Sequence, residues 1–132
     1  MKDSTLGLHL TGDLYGCAPV DDLMTEVDAL ARVCRQATLQ QALIVVGERW
    51  HRFPDAPDGS AGGVTGVLLL AESHLAVHTW PEHGKVTLDV FVCNHGADNG
   101  HRAEALMAAM IDAFRPRQHR LQRLNRGLLE ST

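Results

Sequence analysis

Lysine is almost missing from this chain: Lys2 and Lys85 stand against ten arginines among 132 residues. Chemistry that needs a lysine Schiff base therefore has almost nowhere to go. Cysteine is scarce as well. Cys17, Cys34 and Cys93 form no C-x-x-C pair, which argues against a disulfide framework and a zinc knuckle and fits a reducing compartment. No apolar run approaches the ~20 residues of a membrane span, and Met1-Lys2-Asp3-Ser4-Thr5 has no long apolar stretch behind a basic cluster. The expectation is a cytoplasmic protein without a membrane partner.

What is present points to one folded unit. Hydrophobic residues make up 45% of the chain, which rules out disorder, and the length suits a single domain with one core. The net charge of −4 gives no general attraction to nucleic acid. Arg115, Arg117, Arg120, Arg123 and Arg126 have no interleaved aromatics, so they read as a solvated edge that resists aggregation and not as a nucleic-acid patch. Histidine, with eight copies, is the conspicuous titratable residue.

The periodicities give the elements. Leu6, Leu8 and Leu10 alternate with Gly7, His9 and Thr11 as in a half-buried strand, which Asp13 and Gly16 end. Pro19, Asp21 and Asp22 open a helix with Leu23, Val27, Leu30, Ala31 and Cys34 on one face. Residues 42–50 read as a strand, and 53–63 as a loop with two prolines and three glycines. Val64 to Ala71 is an apolar strand, followed by Leu75, Val77 and Thr79 alternating with Ala76, His78 and Trp80. After a turn at Pro81–Gly84, Val86 to Cys93 has two faces, one Val86, Leu88, Val90 and Val92, the other Thr87, Asp89, Phe91 and Cys93. Asn99 caps a second helix with the stripe Ala103, Leu106, Met107, Met110, Ile111 and Phe114, Pro116 stops it, and Arg117–Leu124 is a last strand. The order reads β-α-β-β-β-α-β. It predicts an α+β two-layer α/β sandwich, an antiparallel sheet with two helices on one face. The uncovered face predicts a homodimer.

Chemistry concentrates at 63–93. Two apolar runs meet at Ala71-Glu72-Ser73-His74 without the glycine a tight hairpin turn favours. A serine in such a junction is either a polar turn residue or a candidate for backbone chemistry. His74 and His78 do not form a metal pair, because four residues of strand span about 13 Å. Cys93 taken alone reads more readily as a small core residue. Strand parity gives His74, Ala76, His78 and Trp80 one face, and if Cys93 shares it, His78 and Cys93 can converge near Ser73.

The run AESHLAVHTWPE followed by LDVFVC resembles the short bacterial S-adenosylmethionine decarboxylase proenzymes, as do GLHL at 7–10, HRF at 51–53 and the GGVTG segment. The likeness covers residues 6–95 and, more loosely, the C-terminal helix. It implies that Ser73 Oγ attacks the Glu72 carbonyl and turns the peptide bond into an ester. Elimination then frees chain 1–72 and leaves a dehydroalanine that hydrolyses to a pyruvoyl group on chain 73–132. This cofactor, with no metal and no pyridoxal phosphate, would bind the substrate amine as a Schiff base and take up the electrons left by CO₂.

The resemblance also assigns roles. His78 is the processing base, Cys93 the proton donor to the product carbon, and Thr65 the hydroxyl that supports the acyl shift, in place of the family's usual serine. Phe53, Trp80 and Glu82 fall at positions that line the substrate site. An unperturbed thiol, with a pKa near ~8.5, is mostly protonated at neutral pH, as a donor must be. His83 and Lys85 replace residues commonly aromatic in the family, and the 53–63 loop is longer than usual.

The implied activity is decarboxylation of S-adenosylmethionine for spermidine synthesis by a cytoplasmic homodimer of cleaved protomers. Schiff-base decarboxylation needs only an α-amine and an α-carboxylate, so arginine or ornithine is the alternative substrate, and an uncleaved, non-enzymatic ligand-binding homologue the third reading.

Overall fold

Alternation along the strands decides how this chain folds. In the computed structural model, which describes residues 7–94 and 98–127, six strands and two helices form two layers. Leu6, the residues read for a leader, residue 95 and the residues after Gly127 lie outside the described part. The elements are β1 (Gly7–Tyr15), α1 (Val27–Gln40), β2 (Val45–Arg52), β3 (Val64–Leu70), β4 (Ser73–Trp80), β5 (Lys85–Cys93), α2 (Gly100–Phe114) and β6 (Gln118–Arg126). A 3₁₀ turn at Pro81–His83 joins β4 to β5. All pairings are antiparallel, in the order β2-β3-β4-β5-β1-β6. Four strands, not three, run between the helices, because residues 45–52, 64–70, 73–80 and 85–93 each form a separate strand.

One face of the sheet is the core. Leu8, Leu10 and Leu14 of β1, Leu75 and Val77 of β4, and Val86, Leu88, Val90 and Val92 of β5 are buried under the helices. From α1 come Leu30, Ala31 and Cys34, and from α2 Ala103, Leu106, Met107, Met110 and Phe114. Burial pushes the Cys34 thiol up to about 12 and that of Cys17 up to about 11, so neither is a ready nucleophile at neutral pH. The alternate residues, His9, His74, His78, Asp89 and Phe91 among them, lie on the other face, where among the described residues no helix packs and they remain partly exposed.

Several boundaries differ from the sequence expectation. Asp21 and Asp22 take positive φ (61° and 57°), so the chain turns there and α1 starts only at Val27; Leu23 is buried from the turn and not from the helix. At the other end of α1, Ala42 (φ 58°) and Leu43 close the helix with bonds back to Leu39 and Thr38, which delays β2 to Val45. β1 runs through Asp13 to Tyr15, and the break comes at Gly16 (φ 64°). β6 shifts to Gln118–Arg126. It is an exposed edge, with Arg123 paired to Glu104 and Arg126 beside His9.

Gly66 is where β3 leaves room for a large side chain of its neighbour β2. A Cβ there would sit 2.0 Å from Cε3 of Trp50, whose Nε1 donates to Glu48, itself held by Arg35. Gly66→Ala is therefore expected to destabilise the protein by about 1–3 kcal/mol. Denaturant unfolding with Trp fluorescence measures both the loss and the displaced Trp50; an unchanged midpoint and spectrum would contradict the packing.

Candidate active site

The β3–β4 hairpin turns in two residues, Ala71 and Glu72, with Leu70 paired to Ser73. Glu72 takes φ 55°, a left-handed value that favours glycine, at the second central position of the turn. The strain thus falls on the residue whose carbonyl precedes Ser73. Ser73 itself opens β4 in a regular pair. Its Oγ accepts a hydrogen bond from the Cys93 N–H at 3.1 Å, so its own proton is directed elsewhere. Pairing of His74 with Phe91 brings the end of β5 alongside.

Cys93 is held from its other side by a residue assigned a different task by the sequence reading. Asn99 does not cap α2 with its side chain. Its Nδ2 donates to the Cys93 carbonyl (2.9 Å) and its N–H to Asn94 Oδ1 (2.9 Å), while Asp98 Oδ1 accepts the first helical N–H, of Gly100. The hint in the sequence was Asp98 directly before Asn99, a second residue able to cap.

A second group lies at the far end of β4. His78 pairs across the ladder with Thr65, and Thr65 Oγ1 lies 2.9 Å from His78 Nδ1. These two line a cavity of about 320 Å³ together with Phe53, Trp80 and Glu82. Lys85 Nζ lies 5.1 Å from the centroid of the Trp80 ring, a cation–π contact, but Lys85 is not among the described residues lining this cavity. Glu72 and Ser73 instead border a separate hollow of about 580 Å³ with Leu69, Phe91 and Arg126.

The eight residues expected in one site therefore fall into two. Thr65, His78, Phe53, Trp80 and Glu82 assemble at one end; Glu72, Ser73 and Cys93 assemble at the other. The expected faces do share one side of the sheet, and Cys93 reaches Ser73. His78 does not: it is five residues along β4 from Ser73, about 16 Å of extended backbone, and pairs with Thr87, six residues from Cys93.

Beside the Ser73 group lies a polar cluster that the sequence reading left unassigned. His9 Nε2 lies 3.0 Å from Asp89 Oδ1, and Arg126 Nη1 3.4 Å from His9 Nδ1. His74 stacks on Phe91, and burial lowers its pKa, with a further lowering from His9, so its ring is neutral near pH 7. Among the described residues no three His, Cys, Asp or Glu are grouped to hold a metal ion, and no helix is long and apolar enough to cross a membrane.

Comparison with known proteins agrees with the fold and with the motifs. The family model for S-adenosylmethionine decarboxylase matches residues 8–127. An S-adenosylmethionine decarboxylase proenzyme of Hydrogenobaculum sp. (strain Y04AAS1) is 33% identical over 128 residues, covering 97% of this chain and 87% of that protein. The proenzyme of Aquifex aeolicus is 35% identical over 127 residues, covering 96% and 84%. The crystal structure of the adenosylmethionine decarboxylase from Aquifex aeolicus superimposes with a TM-score of 0.80 at 33% identity, covering 97% of this chain and 96% of that one.

Asn99→Ala removes the side-chain partner of the Cys93 carbonyl. The expected loss is about 1 kcal/mol, read as a fall of about 4 °C in Tm; an unchanged Tm would contradict the clamp.

Proposed function

The chain belongs to the S-adenosylmethionine decarboxylase family, and from that premise we propose that it is a proenzyme that cuts itself at Glu72–Ser73 and decarboxylates S-adenosylmethionine through a pyruvoyl group made from Ser73. The family is in general pyruvoyl-dependent. The observation that carries the reading is the junction itself: a strained Glu72 carrying the carbonyl to be attacked, and a Ser73 hydroxyl held by the Cys93 amide.

The cleavage balances without an outside redox partner. Ser73 Oγ bonds to the Glu72 carbonyl carbon, the C–N bond breaks, and the nitrogen takes the hydroxyl proton. A base then removes the Ser73 Cα proton, and Glu72 leaves as a carboxylate with the former Oγ. Water replaces the nitrogen of the remaining dehydroalanine, with loss of ammonia. The cut gives chains 1–72 and 73–132. The ladder from Thr65–His78 to Leu70–Ser73 holds them in one domain after the peptide bond is gone.

We assign the base to His78, and its distance along β4 requires that the His78 serving a given Ser73 come from a second copy. Two copies facing across the open sheet, related by a two-fold axis, set each Ser73 against the other copy's His78, and both sites form at once. Exposed Val46, Leu69 and Leu124 supply apolar surface for such an interface. Thr65 Oγ1 at Nδ1 fixes the orientation of the imidazole, the side chain most often used for proton removal. A threonine keeps the hydroxyl that the family's serine supplies.

The same pairing carries Phe53, Trp80 and Glu82 to the partner's Ser73. Their ring faces suit a planar base and a sulfonium, and Glu82 adds the matching negative charge. When present, the pyruvoyl group supplies the electron sink for which a chain with two lysines has no obvious alternative. Cys93, whose backbone N–H reaches Ser73 Oγ, is the residue whose thiol returns a proton to the carbon that has lost CO₂. A homodimer in the cytoplasm completes the reading.

Denaturing mass spectrometry checks the cleavage. Wild-type protein is expected as two chains of 72 and 60 residues (the second being 132 − 72) and Ser73→Ala as one chain of 14.4 kDa. An uncut wild type after prolonged incubation would contradict the proposal. Cys93→Ala is expected to be cut yet to release CO₂ from S-adenosylmethionine about 10²–10⁴-fold more slowly. Normal turnover would remove Cys93 from its role, and faster CO₂ release from arginine or ornithine would replace the substrate.

A further inference from the structure

The loop after Phe53 is closed at its neck. Phe53 N donates to Gly63 O at 2.9 Å, so residues 54–62 project from adjacent ends, the geometry of an Ω-loop. Its two arms touch through backbone: a Cβ on Gly62 would lie 2.2 Å from the Phe53 carbonyl oxygen. The tip is tied by Asp58 Oδ1, which accepts from the N–H and hydroxyl of Ser60. At the neck, Asp55 Oδ1 accepts from the Gly62 N–H (3.1 Å) and from Arg52 Nη2 (3.0 Å). Arg52 in turn donates to the carbonyls of Phe53 and Thr25 at 2.9 Å. One carboxylate thus joins both arms of the loop to β2 and to the segment that enters α1.

The loop's inner side belongs to the cavity of the second group. Pro54, Ala56, Ser60 and Ala61 line it along with Trp80 and Glu82. These loop side chains are small and uncharged, and both carboxylates of the loop are engaged elsewhere. Glu82 is therefore the carboxylate side chain among the described residues lining the cavity. Such a wall suits the flat, neutral part of a ligand whose cationic part meets Glu82.

We propose that the 54–62 loop is the wall that selects the substrate of this cavity, and that Asp55 is the positioning residue that holds it shut. The inference rests on the decarboxylase reading and extends it to residues outside the motifs that identified the family. A wall already ordered before binding spares the substrate the cost of ordering it, so Asp55 acts on affinity and not on the chemical step. The Gly62 amide and the Arg52 guanidinium also hold the Asp55 carboxyl below the usual carboxylate range, which keeps the neck tied throughout neutral pH.

The test measures CO₂ release from carboxyl-labelled S-adenosylmethionine by the self-cleaved enzyme over a range of concentrations. Asp55→Ala is expected to raise KM about tenfold, with complete self-cleavage and kcat within about twofold of wild type. Asp55→Asn retains one acceptor oxygen and is expected to fall between the two. An unchanged KM in Asp55→Ala, or a fall in kcat at constant KM, overturns the assignment while leaving the decarboxylase reading intact. A wild-type protein that is cut but releases no CO₂ from S-adenosylmethionine overturns both.

Discussion

Ser73 and His78 share one strand, and the pairing of β4 on both sides fixes the distance between them. Five residues of extended backbone separate them by about 16 Å. The bonds to β3 and β5 leave no bulge that would shorten the path, since the registers from Thr65–His78 to Leu70–Ser73 and from His74–Phe91 to Trp80–Lys85 are continuous. No side-chain rotation closes such a gap. If Ser73 is the residue that is cut and His78 its base, as proposed, the two can meet only across an interface between copies. The division of the candidate residues into two groups follows from that one fact, and so does the proposal that a second copy completes the site.

The helices make the constraint firm. Packing Leu75, Val77, Leu88 and Val90 beneath α1 and α2 fixes which face of the sheet is inside, and a slip of one residue would bury His74 and His78 instead. Hydrophobic burial thereby sets not only stability but also which side chains the open face presents. The open face carries polar and apolar groups side by side, with the His9–Asp89 pair beside Phe91. A face of this kind suits an association that encloses chemistry, because apolar contact provides the adhesion and the histidines and carboxylates have neighbours to satisfy them.

Much of this was legible in the sequence, for physical reasons. Period-two alternation in 73–80 and 85–93 identified both faces correctly, because burial on one side leaves that imprint on composition. The junction at Glu72–Ser73 stood out because it lacks glycine, and the strain appears at Glu72, one residue before the serine the sequence reading singled out. The start of α1 was hidden because Asp21 and Asp22 look like helix openers while their left-handed φ makes them turn residues. Asn99 looked like a cap because capping is the commonest use of asparagine before a helix. Its hold on Cys93 depends on a tertiary approach that no local pattern records. Motif likeness assigned roles to Thr65, Ser73, His78 and Cys93 but contained no distances. The split between the two ends of β4 became visible only with the register.

If each site is built from two copies, mixing two defective chains tests it most directly. Ser73→Ala lacks the residue to be cut, and His78→Ala lacks the base while keeping Ser73 and Cys93. Each alone is expected to remain whole. Unfolded together and refolded as a mixture, or coexpressed, they are expected to yield mixed dimers in which the His78→Ala chain is cut at Glu72–Ser73 and the Ser73→Ala chain is not, as intact-mass spectra would record. If mixed dimers form and the His78→Ala chain stays whole, the base does not come from the second copy, and a site shared between two protomers is contradicted.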